Sequence, residues 1–234
     1  MRRGTGSPGV PPLAGGLLLV LLAAGCASHR AAARYAPASE AQAREALDAW
    51  SAIRRRADAL PAARLLYDAR LGEKGMPSVP GTLAVTYDGT NVTRASLTGP
   101  FGKPVAEYAN GALVGGDGRA FPVDPRVLRS VLAAAWPGDP SSVAGCDGPA
   151  CLLVFDGAIR AEAAVDPAAQ RLLSLRVTGD AGSLEVVYGE GAPAPWPPRI
   201  AIEDEVHSRS LGLRLVASET GPSPGVPPAG GSAR

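Results

Sequence analysis

The feature that most restricts the fold of this chain is a series of short segments in which apolar and polar residues alternate. In one of them Leu83, Val85 and Tyr87 alternate with smaller or polar residues, and a hairpin signal, Asp88-Gly89, follows. A first run begins at Arg64. The other runs lie at 93–97, 105–108, 112–114, 152–155, 159–165, 172–177, 184–188, 200–203 and 211–216. Such runs, about ten residues apart, predict a long antiparallel meander with one buried and one wet face.

Two segments change to helical spacing. Ser39 and Gln42 have the spacing of a capping box at a helix start, and Pro61 ends that segment. A second helix is predicted from Pro125 to Ala135, with Asp124 as its N-cap and Trp136-Pro137-Gly138 as its stop. The predicted apolar stripes are Ala43, Leu47, Trp50, Ile53 (or Arg54), Ala57 and Leu60 in the first helix, and Val127, Leu128, Val131, Leu132 and Ala135 in the second.

The resulting order is a helix, five strands, a second helix and six strands. This predicts an α+β domain with a curved antiparallel sheet of about eleven strands, curled into a barrel or closed as a half-barrel by two or so helices around an apolar cavity. Alternation alone does not say which face is concave, and ordinary core is the alternative role for each residue expected to line the cavity. The cavity candidates are Leu83, Val85, Leu97, Leu128, Leu132, Leu184, Val186, Leu213 and Leu215.

The N-terminus has the pattern of a lipoprotein export signal. Arg2 and Arg3 precede an apolar run, 17–24, which is far shorter than the roughly 20 residues that span a bilayer. The run ends in Leu22-Ala23-Ala24-Gly25-Cys26, small residues directly before a cysteine. We therefore expect residues 1–25 to be removed and Cys26 to carry a diacylglyceryl group. The alternative is an ordinary secretory signal with a chance cysteine.

The remaining chain is expected to hold one folded domain. Residues 26–38 are predicted to be the lipidated cysteine and a flexible tether, 39–217 the domain, and 218–234 a disordered Gly/Pro-rich tail. The apolar fraction of 46% suffices for a core. Removing Arg2 and Arg3 with the leader changes the formal net charge from +1 to −1. Because no basic face is apparent, nucleic acid is not an expected partner. The protein is expected to be a monomer.

The two remaining cysteines, Cys146 and Cys151, are predicted to form a local disulfide in an oxidising compartment; two free thiols are the alternative. No metal site or cofactor is predicted, because the two histidines, His29 and His207, are far apart. No nucleophile constellation or phosphate loop points to an enzyme. The dense carboxylate run 203–205 is expected to alternate faces along a strand edge.

Two motifs resemble the LolA/LolB lipoprotein-localisation family, most of all its outer-membrane receptor branch, LolB. The segment Leu97-Thr98-Gly99-Pro100-Phe101-Gly102-Lys103 is similar to a strand–turn–strand of that family. The helix that ends in Trp136-Pro137-Gly138-Asp139 is similar to a second family segment. The order of elements agrees, and the resemblance covers roughly residues 40–217.

The resemblance implies a function as well as a fold. It implies a cavity that accepts the acyl chains of lipoproteins delivered by a soluble LolA-like carrier, and a protruding residue, here Phe101, that leads them into the membrane. The absence of aspartate at Ala27 and Ser28 implies anchoring to the outer membrane, facing the periplasm. The alternatives are an envelope structural or assembly lipoprotein that binds a protein partner, and a carrier of another amphiphile.

Overall fold

A computed structural model of the chain describes residues 35–73, 75–109, 112–113, 125–179, 182–190, 195–206 and 208–221. These residues form two α-helices, α1 (Glu40–Asp58) and α2 (Pro125–Ala133), and a 3-10 turn, η1 (Pro100–Gly102). The strands are β1 (Ala63–Glu73), β2 (Val79–Tyr87), β3 (Val92–Thr98), β4 (Pro104–Ala109), β5 (Ala112–Leu113), β6 (Ser142–Asp147), β7 (Ala150–Phe155), β8 (Arg160–Asp166), β9 (Arg171–Gly179), β10 (Gly182–Tyr188), β11 (Arg199–Asp204) and β12 (Arg209–Thr220). The predicted α+β class is confirmed.

All strands belong to one antiparallel sheet in the order β5-β4-β3-β2-β1-β12-β11-β10-β9-β8-β7-β6. Sequence neighbours pair as hairpins, and the last strand returns to the first, which joins the two halves of the chain in the middle of the sheet. The described residues thus contain twelve strands rather than the predicted eleven. The strand not predicted is β6, whose sequence Ser-Val-Ala-Gly-Cys-Asp lacks alternating large apolar residues.

The sheet curves around α2. Twelve flat strands would span roughly 50 Å, whereas a nine-residue helix is only about 14 Å long. Yet α2 contacts β3 in one half of the sheet, and its Val131 carbonyl accepts a hydrogen bond of 3.1 Å from the Tyr188 hydroxyl on β10 in the other half. The two halves of the sheet therefore face each other across this helix.

Helix α1 covers the part of the same sheet formed by β6 to β9. The capping box is confirmed: the Ser39 side chain accepts from the Gln42 N–H, and the Gln42 side chain accepts from the Ser39 N–H. The helix contacts β6 to β9, and the Trp50 and Phe155 rings lie 5.0 Å apart. The predicted stripe is partly wrong, because Leu47 is 41% exposed. The buried helix residues are Ala46, Ala49, Trp50, Ile53 and Ala57.

Several predicted boundaries differ from the structure. The domain extends beyond residue 217, because β12 continues to Thr220, which pairs with Ala63. The tether ends earlier than residue 38, since Ala36 forms an isolated antiparallel bridge with Cys146. Helix α2 ends at Ala133, not at Ala135. Cys26 and the leader, the N-cap Asp124 and the tail from residue 222 lie outside the described residues.

Candidate functional site

The nine cavity candidates all lie on one face of the sheet or on the helix that covers it. Six of them are buried in the main hydrophobic cluster: Leu83, Val85, Leu97, Leu132, Val186 and Leu213. The other three, Leu128, Leu184 and Leu215, are partly buried and pack against that cluster. The structure therefore answers the question that alternation left open: this face, called here the inner face, is the covered one.

Strand register makes the inner face continuous. In one row Leu97, Leu83, Tyr67 and Leu215 are direct partners on β3, β2, β1 and β12. A longer row crosses from β1 to β6 and contains Leu71, Leu211, Ile202, Val186, Leu175, Ala163, Leu153 and Val143. Because each row contains apolar side chains almost throughout, the face presents hydrocarbon across both halves of the sheet.

A few polar atoms interrupt this apolar face. Tyr67 and Trp196 are 0% and 1% exposed, and within the described residues neither the Tyr67 hydroxyl nor the Trp196 Nε1–H has a hydrogen-bond partner. Trp196 precedes β11 and meets the Tyr87 ring edge-on at 5.2 Å. An unpaired buried donor costs about 1–3 kcal/mol. Two such donors on an apolar face favour a ligand that carries an acceptor group.

Burial also determines how the inner tyrosines titrate. Loss of hydration raises the pKa of the Tyr67 phenol above its ordinary value near 10. Burial raises the pKa of Tyr188 in the same direction, and the negative charge of an ionised Tyr67 adds to that rise. Both groups are therefore neutral hydrogen-bond donors at physiological pH.

The segment Trp136-Pro137-Gly138-Asp139, which follows α2 and is called here the helix–stop motif, joins the two helices. After α2 the chain turns at Gly138, whose φ is +93°, and the Gly138 carbonyl accepts a hydrogen bond of 3.3 Å from Trp50 Nε1. The next residue, Asp139, forms an ion pair of 2.6 Å with Arg54. The motif thus fixes the C-terminal end of α2 against α1.

Phe101 stands at the tip of the β3–β4 connection. Its side chain is 100% exposed, and its backbone has φ +61° and ψ +23°. The turn is closed by a hydrogen bond from the Gly102 N–H to the Gly99 carbonyl and by one of 2.8 Å from the Gly99 N–H to the Lys103 carbonyl. The left-handed region disfavours side chains, and exposure leaves an aromatic ring in water. Neither feature serves the stability of the domain.

The β6–β7 hairpin lies at one edge of the sheet. Cys146 and Cys151 are direct cross-strand partners, and a disulfide joins them. Two backbone hydrogen bonds, of 3.1 and 2.8 Å, link Ala36 to Cys146. Gly145 permits this approach, since a Cβ there would lie 2.3 Å from the Ala36 carbonyl oxygen. The first described residues of the chain are therefore held at this hairpin.

The carboxylate run alternates faces as predicted. Glu203 is exposed, whereas Asp204 is buried and accepts from the Val206 N–H at 3.1 Å. Glu205 accepts two hydrogen bonds, of 2.8 and 2.6 Å, from Arg176. Across the described residues, no three His, Cys, Asp or Glu side chains are grouped to hold a metal ion.

The outer face of the sheet carries a shallow groove of about 400 Å³ over β3, β2, β1 and β12. Its lining includes small side chains and two arginines; these residues are Ala84, Ser96 and Ala217 with Arg64 and Arg94. Arg94 is paired with Glu107 at 2.5 Å. Leu66, 38% exposed, also lines the groove.

Sequence reasoning missed Tyr67, Tyr188 and Trp196 as parts of the site. Their positions depend on strand register and on the return of β12 to β1, which no local pattern reveals. Trp196 had one available signal: a large aromatic residue within a Pro-rich connection usually has a packing role. The exposed side chains of Met76 and Val206 were likewise not predicted.

Comparison with known proteins bears on the fold. No protein-family model and no curated protein matches this chain. Among solved structures, a LolA superfamily protein from Nitrosomonas europaea superposes with a TM-score of 0.51 over 74% of this chain and 93% of its own, at 11% identity. The chain has a LolA-type fold. This agrees with the fold that the resemblance in the sequence implies.

Two other solved structures show a weaker likeness to this chain. A DUF1329 family protein from Desulfovibrio piger has a TM-score of 0.44 at 9% identity, over 80% of this chain and 95% of its own. A putative outer membrane lipoprotein-sorting protein domain from Vibrio parahaemolyticus has a TM-score of 0.43 at 9% identity, over 78% of this chain and 94% of its own.

In the part of the chain that is described, no helix has the length and apolarity needed to cross a bilayer.

Proposed function

We propose that this chain is a lipid-anchored factor of lipoprotein localisation, which accepts lipoprotein acyl chains between its inner face and α2 and releases them into the outer membrane. The observation that carries the proposal is the continuous apolar inner face with its two unpaired donors, Tyr67 and Trp196. Acyl chains match the hydrocarbon, and the ester or amide carbonyls that bear them match the donors.

The energetics of such transfer need no covalent step. Each acyl CH₂ removed from water contributes about 0.8 kcal/mol, so a few chains are held without polar chemistry. A bilayer offers them a similar environment, and transfer then runs down a gradient of affinity. A soluble LolA-like carrier is the proposed donor, and a monomer is sufficient for the exchange.

Phe101 is the proposed leading residue of release. Full burial of a Phe side chain stabilises a folded protein by about 1.5–3 kcal/mol. Phe101 does not contribute this free energy, because its ring is exposed at a strained turn. A bilayer restores it. Lipid on Cys26, with Ala27 and Ser28 behind it, is proposed to hold the domain at the periplasmic side of the outer membrane.

One observation favours a second function. The outer groove, whose lining includes exposed Leu66, suits a short peptide segment better than an acyl chain because it is open and charged residues also line it. An envelope assembly lipoprotein that uses this groove for a protein partner is the alternative proposal.

The test is transfer in vitro. The chain from residue 27 onward is mixed with a periplasmic carrier loaded with a lipoprotein, and capture and delivery to vesicles are measured for the native chain and for Phe101→Glu. We expect the native chain to capture and deliver, and the variant to capture without delivery. A matched control, Val187→Glu, changes an exposed residue on the outer face and is expected to deliver normally. No capture by any form would overturn the proposal and favour the assembly role.

A further inference from the structure

The hairpins of this sheet fall into two groups. Because neighbouring strands are antiparallel, the connections β1–β2, β3–β4, β7–β8, β9–β10 and β11–β12 leave from one end of the sheet. The connections β2–β3, β6–β7, β8–β9 and β10–β11 leave from the opposite end. In the sheet order, β4-β3, β2-β1 and β12-β11 follow one another. The hairpin of Phe101 therefore has the β1–β2 hairpin beside it and the β11–β12 hairpin next in line.

These three neighbouring hairpins carry exposed apolar side chains. Phe101 is 100% exposed, Met76 65%, Val206 58% and Val79 40%. Together these four residues are called the apolar rim. Val79 is the first residue of β2, at the rim end, whereas the other large exposed hydrophobic residues of the described chain lie on α1 or farther along strands; they are Leu47, Leu66, Val187 and Val216. The described hairpins of the opposite end carry none of the large exposed residues.

The rim is built from separate tips rather than a continuous surface. Adjacent hairpins are two strand spacings apart, about 10 Å, so their tips project separately. A protein partner would need a matching set of separate pockets. A bilayer accepts separate apolar side chains at any spacing, and one such tip is an aromatic ring that stands fully in solvent.

The tether has the length to bring the rim to the membrane that holds the anchor. Ala36 pairs with Cys146, and about ten residues separate it from Cys26, an extended reach of roughly 33–36 Å. The rim end of β6 is Ser142, only about 14 Å from Cys146 along the strand. A lipid-bearing Cys26 can therefore lie in the plane of the three hairpins.

We propose that the apolar rim docks the domain on a lipid bilayer, with Met76, Val79 and Val206 entering the interface beside Phe101. The inference rests on the proposed function for the anchor and for the role of Phe101. It adds the β1–β2 and β11–β12 hairpins to the membrane contact. With three tips engaged, the strands stand with their rim end toward the lipid.

The experiment measures partitioning to vesicles of phosphatidylethanolamine with a minority of phosphatidylglycerol, an anionic lipid that gives the surface a negative potential. It uses the unlipidated chain from residue 27 onward, which retains every residue of the described core. We expect the double variant Met76→Asp, Val206→Asp to lower the partition coefficient about tenfold or more. The matched control, Val187→Asp with Val216→Asp, replaces residues of similar exposure on strands and is expected to bind like the native chain.

The outcomes are distinct. Three results would each overturn docking through the apolar rim. They are vesicle binding by the rim variant that equals native binding, an equal loss of binding in the strand control, and no vesicle binding by the native chain. Binding of a fluorescent long-chain fatty acid is measured on the same proteins without vesicles. We expect all of them to bind it, because the rim is remote from the inner face. If the native chain binds vesicles but does not bind the fatty acid, the proposed acyl-chain function is overturned instead.

Discussion

Phe101 combines two unfavourable features at one residue. Its φ of +61° lies in the left-handed region, which costs a residue with a Cβ roughly 1–2 kcal/mol. Its ring contributes no burial in return. Glycine at this position would remove the strain but would lose backbone entropy worth about 0.5–1 kcal/mol on folding. The relief is larger than the loss, so the native residue is not the most stable choice.

We expect Phe101→Gly to raise the free energy of unfolding by about 0.5–1 kcal/mol, because the strain removed exceeds the added entropy cost. Urea unfolding of the two proteins measures it. Phe101→Ala serves as the control: it keeps the Cβ and the strain, and its stability should match that of the native chain. A clear loss of stability in both variants would mean that the ring packs on the domain.

The buried tyrosines predict how stability depends on alkaline pH. In the unfolded chain both phenols titrate near pH 10, whereas burial raises the pKa of Tyr67 and Tyr188 in the folded state. Above about pH 10 the unfolded chain therefore binds fewer protons than the folded one, and the free energy of unfolding falls as pH rises. Below that pH this contribution is fully present.

Urea unfolding at pH 8, 10 and 11 tests this dependence. The double variant Tyr67→Phe, Tyr188→Phe should lose less stability between pH 8 and 11 than the native chain, since both phenols are gone. At pH 8 Tyr67→Phe alone should be neutral or slightly stabilising, because it removes an unpaired hydroxyl. An unchanged alkaline slope in the double variant would contradict the assignment.

At the scale of elements, local chemistry predicted most of the architecture. The capping box, the Asp88-Gly89 hairpin and the Gly-Pro-Phe-Gly turn each depend on residues within a few positions, and all three appear in the structure. Strand β6 was missed because its burial depends on a partner strand, a disulfide and the Ala36 bridge rather than on its own alternation. Leu47 was misplaced for a related reason: a helix stripe wide enough for two faces does not say which one meets the sheet.

Gly145 provides a test of the edge of the sheet. A Cβ at this position would lie 2.3 Å from the Ala36 carbonyl oxygen, so Gly145→Ala should break the Ala36–Cys146 bridge while the β6–β7 hairpin persists. We expect hydrogen exchange at the Ala36 and Cys146 amides to speed up, with a stability loss of about 1–2 kcal/mol for two backbone hydrogen bonds. Gly179→Ala is the control, because no atom of the described residues lies within 4 Å of its added Cβ. Unchanged exchange at both amides would contradict this view of the tether.

For the whole molecule, the two helices hold the sheet with unequal strength. Helix α1 has 19 residues and contacts four strands, and it is tied by the Trp50–Gly138 hydrogen bond, the Arg54–Asp139 ion pair and a contact from Arg56 to the Gln170 carbonyl. Helix α2 has nine residues and meets the inner face through Val127, Val131 and Leu132. Its hydrogen bond from Tyr188 joins it to β10. Admitting a ligand to the inner face thus requires displacing the shorter helix.

This difference predicts where a bound amphiphile is seen. A long-chain fatty acid at 100 times its Kd should raise the free energy of unfolding by about 2.7 kcal/mol, because it binds only the folded chain. Hydrogen exchange should at the same time become faster in α2, which the ligand displaces, and remain slow in α1. Tyr188→Phe removes one hydrogen bond that holds α2, so it should speed exchange in α2 without ligand. Protection that increases equally in both helices would show that the ligand binds elsewhere, with the outer groove as the next site to examine.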